Sequence, residues 1–219
     1  MLKCGLKGVF DMLENVKVFC HSSIKITGSK TIYIDPFAIR EEYHNADIIF
    51  STHSHYDHFS EEDIDLVKKE NTIIITPDSS RELAYNLVGK ENVMIVEQDK
   101  KYEIDGIKFE TTYAYNKEKA YHPKSENWVG YIIDFDGVKY YIAGDTDNIK
   151  EIRNVECDIA FLPVGGKYTM DEKEAAELAN EINAKVVVPT HYGLIVGEKD
   201  AGQKFKNLVK GKQVEILIQ

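Results

Sequence analysis

Six residues, His53-Ser54-His55-Tyr56-Asp57-His58, restrict this chain more than any other segment. They follow Asp47–Ser51 (DIIFS), an apolar, β-branched run of the kind that forms a buried strand. Alternate side chains of an extended segment point the same way, so His53 and His55 can grip one ion together. A turn after them lets Asp57 and His58 face a second ion nearby. Neutral imidazole and carboxylate are ligands that a zinc-type divalent metal prefers. The competing explanation is a surface loop that happens to be rich in histidine. The density of the cluster and its place at a strand end favour metal.

A loop of this kind needs a rigid scaffold, and the composition supplies one. The chain has 219 residues, 43% of them hydrophobic and 29% charged. That is enough for a globular core in one domain, residues 1–219. The formal charge is −10. Such a surface argues against general binding to nucleic acid or anionic membrane. Lysines and acids interrupt the first 19 residues, so no signal peptide is expected, and no apolar run is long enough for a membrane span. Cys4, Cys20 and Cys157 form no disulfide framework or CxxC site, which fits a reduced, cytoplasmic setting.

Strand and helix signals alternate along the chain. Val16–Phe19, Ser23–Ile26, Thr31–Ile34 and Thr72–Thr76 read as strands. So do Val93–Val96, Lys101–Ile104, Ile107–Thr112, Val129–Phe135, Val138–Ala143, Ile159–Val164, Val186–Pro189 and Val214–Ile218. Asp105-Gly106 and Asp136-Gly137 mark tight hairpins. Ser60 to Asp63, Ser79 with Glu82, and Thr169 to Glu172 carry cap patterns that open helices, and Asp200–Lys210 reads as a further helix. Asn116–Asn127 is polar and loop-like. Hairpins mixed with strand–helix alternation in both halves predict an α/β (α+β) fold with two sheets covered by helices.

Two more ligand-type residues stand at strand ends. Asp145 lies in Gly144-Asp145-Thr146-Asp147, and His191 in Pro189-Thr190-His191-Tyr192-Gly193. Taken singly, Asp145 is a plausible turn residue and His191 a plausible structural histidine. Together with the first cluster they suggest one site built from several strand ends. In this order the residues resemble the signature of the metallo-β-lactamase superfamily. Within it, the chain is similar to small metal-dependent hydrolases related to ascorbate-6-phosphate lactonases. The fragments carrying that likeness are His21-Ser22-Ser23, Tyr33-Ile34-Asp35-Pro36, Asn127-Trp128-Val129-Gly130, Ala143–Asp147, Leu162–Gly166 and Pro189–Gly193.

The resemblance implies a four-layer αββα sandwich with two divalent metal ions at one edge. Zinc is the first expectation, with manganese or iron as alternatives. By position, His53 and His55 would hold one ion, Asp57, His58 and His191 the other, and Asp145 would bridge. Asp57 would also orient the nucleophile, a metal-bound hydroxide, towards a small anionic ester, lactone or phosphoester. The family usually has a further histidine after the strand that here is Thr111–Tyr115. Asn116 stands there, and His122 follows six residues later. Imidazole is the better zinc ligand, so His122 is expected to complete the first site. Asn116 or water is the alternative, and would leave that site weak.

His21, Asn116, Lys124 and Tyr168 are expected to meet substrate, His21 being as readily a buried structural residue. Gly165-Gly166 offers backbone N–H groups to an anion. A small-molecule substrate is the partner expected, and a homo-oligomer is compatible with the sequence. A nuclease of the same superfamily usually carries a basic exosite, for which an acidic chain has little room. The diiron branch typically has glutamate where His55 stands. A non-catalytic metal-binding protein is the remaining alternative.

Overall fold

A computed structural model describes residues 12–218; Cys4 and most of the basic N-terminal stretch lie outside the described residues. Strands β1 (Val16–Val18), β2 (Ile24–Thr27), β3 (Thr31–Ile34), β4 (Ala46–Phe50), β5 (Lys68–Pro77) and β6 (Val93–Val96) form one sheet in chain order. Strands β7 (Lys101–Ile104), β8 (Ile107–Tyr113), β9 (Val129–Phe135), β10 (Val138–Ile142), β11 (Ile159–Pro163), β12 (Val186–Thr190) and β13 (Gln213–Val214) form a second, also in chain order. Each sheet begins antiparallel and ends parallel, with the change at β3/β4 and at β10/β11. Helices α1 (Glu61–Val67), α2 (Arg81–Val88), α3 (Glu172–Glu181) and α4 (Ala201–Leu208) link the parallel strands.

The period of two along each strand explains the layering. Ile48 and Phe50 of β4 point between the sheets, where they share a cluster with Phe109, Tyr131, Ile142, Phe161 and Val188. Ile49, between them, points outward to meet Ile64 and Val67 of α1 and Ala84 of α2. In the second sheet Tyr141, Ala160, Leu162 and Val187 point outward onto Ala175 and Leu178 of α3 and Phe205 of α4. The central strands are therefore apolar on both faces, as parallel strands between layers must be. The result is the four-layer αββα sandwich. The hairpin signals hold as well. Asp105 and Gly106 have φ of 50° and 81°, and Asp136 and Gly137 have 50° and 78°, the left-handed pair that a type I′ turn needs.

The helix starts differ in detail from expectation. Ser60 caps α1 by accepting from the Asp63 N–H at 3.2 Å, but the Asp63 carboxylate takes the Ala38 and Ile39 N–H groups instead of returning to the cap. Ser79 caps nothing at α2; its hydroxyl accepts from the Trp128 indole N–H at 3.0 Å. The third capping box is real but shifted: Asp171 and Glu174 form it, not Thr169 and Glu172. Thr169 is drawn into the buried interior, where its hydroxyl donates to the Met170 carbonyl.

Candidate metal centre

The sheets meet at one edge, and the carboxyl ends of β4, β10 and β12 deliver His53, Asp145 and His191 there. The loop between β8 and β9 adds His122, and the turn between β1 and β2 adds His21. This is the edge where α/β sheets gather functional groups, because strands fix positions that loops can then exploit. Two contacts pin the sheets together beside it: the Tyr131 hydroxyl donates to the Ser51 carbonyl at 2.7 Å, and the Val129 N–H to the Thr52 carbonyl at 3.2 Å.

Three sets of ligand atoms converge. His53, His55 and His122 form one, His21, Asp57 and His191 another, and His53, His58 and Asp145 the third, each with its ligand atoms within 4.8 Å of one another. Asp145 stands at the middle. Its Oδ2 lies 3.2 Å from His122 Nε2 and 3.0 Å from His191 Nε2, and its Oδ1 lies 3.3 Å from His58 Nε2. Asp57 Oδ2 lies 3.1 Å from His21 Nε2 and 3.6 Å from both His58 Nε2 and His191 Nε2.

A hydrogen-bond chain behind the cluster sets which nitrogen faces inward. Asp35 is fully buried. It accepts from the Thr52 N–H and hydroxyl, both at 2.8 Å, and from His58 Nδ1 at 2.7 Å. With its proton given to Asp35, the Thr52 oxygen can accept from His53 Nδ1 at 3.0 Å. Both imidazoles thus hold a proton on the outer nitrogen, and Nε2 is the atom aimed inward, ready to coordinate once it carries no proton. Trp128 lies 4.6 Å from the His53 ring and 4.8 Å from the His55 ring, and closes that side with apolar surface.

Charge is distributed accordingly. Burial lowers the pKa of His53, His55 and His21, the last to about 4, which keeps these rings neutral. Burial opposes the charged forms of His58 and His191 too, but Asp145, aided by Asp35 at His58 and by Asp57 at His191, outweighs it and raises both pKa values. Burial likewise opposes ionisation of Asp57 and Asp145, yet the facing histidines hold both carboxyls well below the usual range. A divalent cation would replace the protons on His58 and His191.

The backbone carries strain at the same place. His21, His122 and His191 have φ of 56°, 57° and 57°, a left-handed conformation that costs a non-glycine residue of order 1 kcal/mol or more. The His191 N–H donates to the His21 carbonyl at 2.9 Å, and their rings lie 3.7 Å apart. Gly165 makes this loop possible, since a Cβ there would stand 2.3 Å from the His191 carbonyl oxygen.

The structure gathers His53, His55, Asp57, His58, His122, Asp145 and His191 in one cluster. Four residues expected to meet substrate are placed differently from one another. Tyr168 lines the cleft above the cluster. His21 is fully buried below it, beside Asp57 and His191. Asn116 is buried, and its amide donates to the carbonyls of Tyr121 (2.9 Å) and Tyr168 (2.6 Å), which makes it a brace for two cleft loops. Lys124 is drawn away from the cleft by Glu151, at 3.0 Å. The Gly166 N–H is also engaged, donating to the Met170 carbonyl at 2.9 Å. The sequence assigns no site role to Thr52, nor to Asp35, which stood out only within the Tyr33–Pro36 fragment of the family likeness.

Residues 15–191 match the Beta-lactamase superfamily domain. The chain belongs to the metallo-β-lactamase superfamily. This member is 33% identical over 219 residues to a UPF0173 metal-dependent hydrolase of Thermococcus onnurineus, covering 94% of this chain and 96% of that one. A crystal structure from Parabacteroides distasonis, assigned as a metal-dependent hydrolase, has 32% identity and a TM-score of 0.78, with 93% of each chain covered. Igni18, a metallo hydrolase from Ignicoccus hospitalis, shares the fold at 22% identity and a TM-score of 0.76, over 93% of this chain and 94% of that one.

Asp35→Asn tests the supporting chain. Asn tolerates the left-handed backbone at this position, where φ is 43°. It offers one acceptor oxygen where three donors converge. Metal affinity, measured by competition with a chelator, should fall about 10–100-fold; an unchanged affinity would mean that Asp35 does not orient His58.

Proposed function

We propose that this chain is a metal-dependent hydrolase with two divalent ions in adjacent sites. One observation supports this most: the buried Nε2 atoms of His58, His122 and His191 crowd within 3.0–3.3 Å of the Asp145 carboxylate, yet none makes a hydrogen bond of acceptable geometry. Buried polar atoms are almost always satisfied, so such a group of exceptions needs a missing partner. All are donor atoms for a zinc-type ion, so the residues fit the group that the superfamily implies.

In this reading His53, His55 and His122 hold the first ion, and Asp57 and His191 hold the second with His58 or His21. Asp145, facing members of both sets, would be shared between the two ions. Zinc is the ion that this histidine-rich set favours, with manganese or iron as alternatives. When bound, the ions would supply Lewis acidity and an acidified water. Asp57 lines the cleft and orients the attacking water by accepting its hydrogen bond. Its depressed pKa suits it to that task better than to storing a proton. Trp128 and the buried Asp35–Thr52 pair keep the ligands aimed and bulk water out. The substrate is a small ester, lactone or phosphoester.

The test is reversible activity. Turnover of a chromogenic ester or a bis-aryl phosphodiester should vanish on chelation and return with zinc or manganese. Full turnover by metal-free protein would overturn the proposal.

A further inference from the structure

We infer that the cleft takes an uncharged ester or lactone bearing an aromatic or branched aliphatic group, an inference that rests on the hydrolase reading above. The cleft has a volume of about 220 Å³, and beyond the ligand cluster its walls are Tyr56, Tyr121, Tyr168 and Ile195. No lysine or arginine lines it among the described residues. Two of the nearby cations are paired with acids, Lys119 with Asp147 and Lys124 with Glu151. Lys167 sits over the Tyr168 ring, 4.9 Å from its centroid, and outside the lining. A substrate phosphate or carboxylate held inside the cleft away from the metals would therefore lose its water with no lining cation to replace it, at a net cost.

The rim shows the same chemistry. Tyr56 is 64% exposed and Tyr121 48%, and Leu194 is 63% exposed beside Ile195. Large apolar side chains gathered at one opening on an otherwise acidic surface mark a place that binds apolar matter. Tyr121 and Tyr168 meet edge to face, with centroids 4.6 Å apart. Asn116 fixes both of their carbonyls, so this wall is preformed. Flat or branched hydrocarbon fits against such rings. In the reaction the acyl C–O bond breaks; water gives its hydroxyl to the acyl carbon and its proton to the leaving oxygen.

The experiment compares two lactones on metal-loaded protein: dihydrocoumarin, which is neutral and aromatic, and 6-phosphogluconolactone, which carries a phosphate. The expected kcat/KM is at least about tenfold higher for dihydrocoumarin. Tyr121→Ala should raise its KM about tenfold with metal content unchanged, and Tyr121→Phe should retain the wild-type KM, because the ring face and not the hydroxyl makes the contact. Preference for the phosphorylated lactone, or a KM unmoved in Tyr121→Ala, would overturn this inference and leave the hydrolase reading standing. No turnover of either lactone, nor of the chromogenic ester and phosphodiester, by fully loaded protein would overturn both.

Discussion

Asp145→Ala is expected to abolish hydrolysis, by at least about 10³-fold, and to release metal from both sites. One carboxylate lies within 3.0–3.3 Å of His191, His122 and His58, which belong to different ligand sets. Its removal takes a ligand from each side and the negative charge that makes a pair of cations tolerable at close range. A loss of about 4 kcal/mol in transition-state stabilisation corresponds to about 10³ in rate, and metal ions supply several kcal/mol of this kind. Metal content and kcat/KM should fall together. A variant that keeps both metals while losing activity would show that Asp145 acts on substrate and not as a bridge.

Phe50→Ala is expected to cost about 3–5 kcal/mol of stability. Phe50 is fully buried between the sheets, with ring centroids 5.1 Å from Phe109 and 5.0 Å from Tyr131, both edge to face. These rings tie β4 of the first sheet to β8 and β9 of the second. Truncation leaves a cavity that flanking strands, held by hydrogen bonds on both sides, cannot close. For a chain of this size the melting temperature should drop by roughly 6–20 °C in calorimetry. A shift of only a degree or two would mean that the layer between the sheets does not carry the fold.

Much of this was readable in the sequence, for physical reasons. Buried strands such as Val186–Val188 announce themselves as β-branched runs, and the Asp-Gly hairpins by a residue pair that readily takes two left-handed positions. The ligand cluster was readable because four potential ligands fall within six residues. What escaped depends on long-range contact. Asp35 lies 17 residues from Thr52 and 23 from His58, and nothing local distinguishes it from a strand-ending turn residue. Ser79 and Thr169 carry cap chemistry, but tertiary partners claimed their hydroxyls first. Lys124 looked like a substrate cation until the fold brought Glu151, 27 residues on, to its ammonium. His21 offered two readings, and its long-range contacts with Asp57 and His191 set it beside the cluster.

The most direct measurement is elemental analysis of metal per chain, on wild type and on His122→Ala after reconstitution with zinc. Two ions are expected in wild type and about one in the variant, because a four-coordinate site loses a ligand. No bound metal in the reconstituted wild type would contradict the account at its centre.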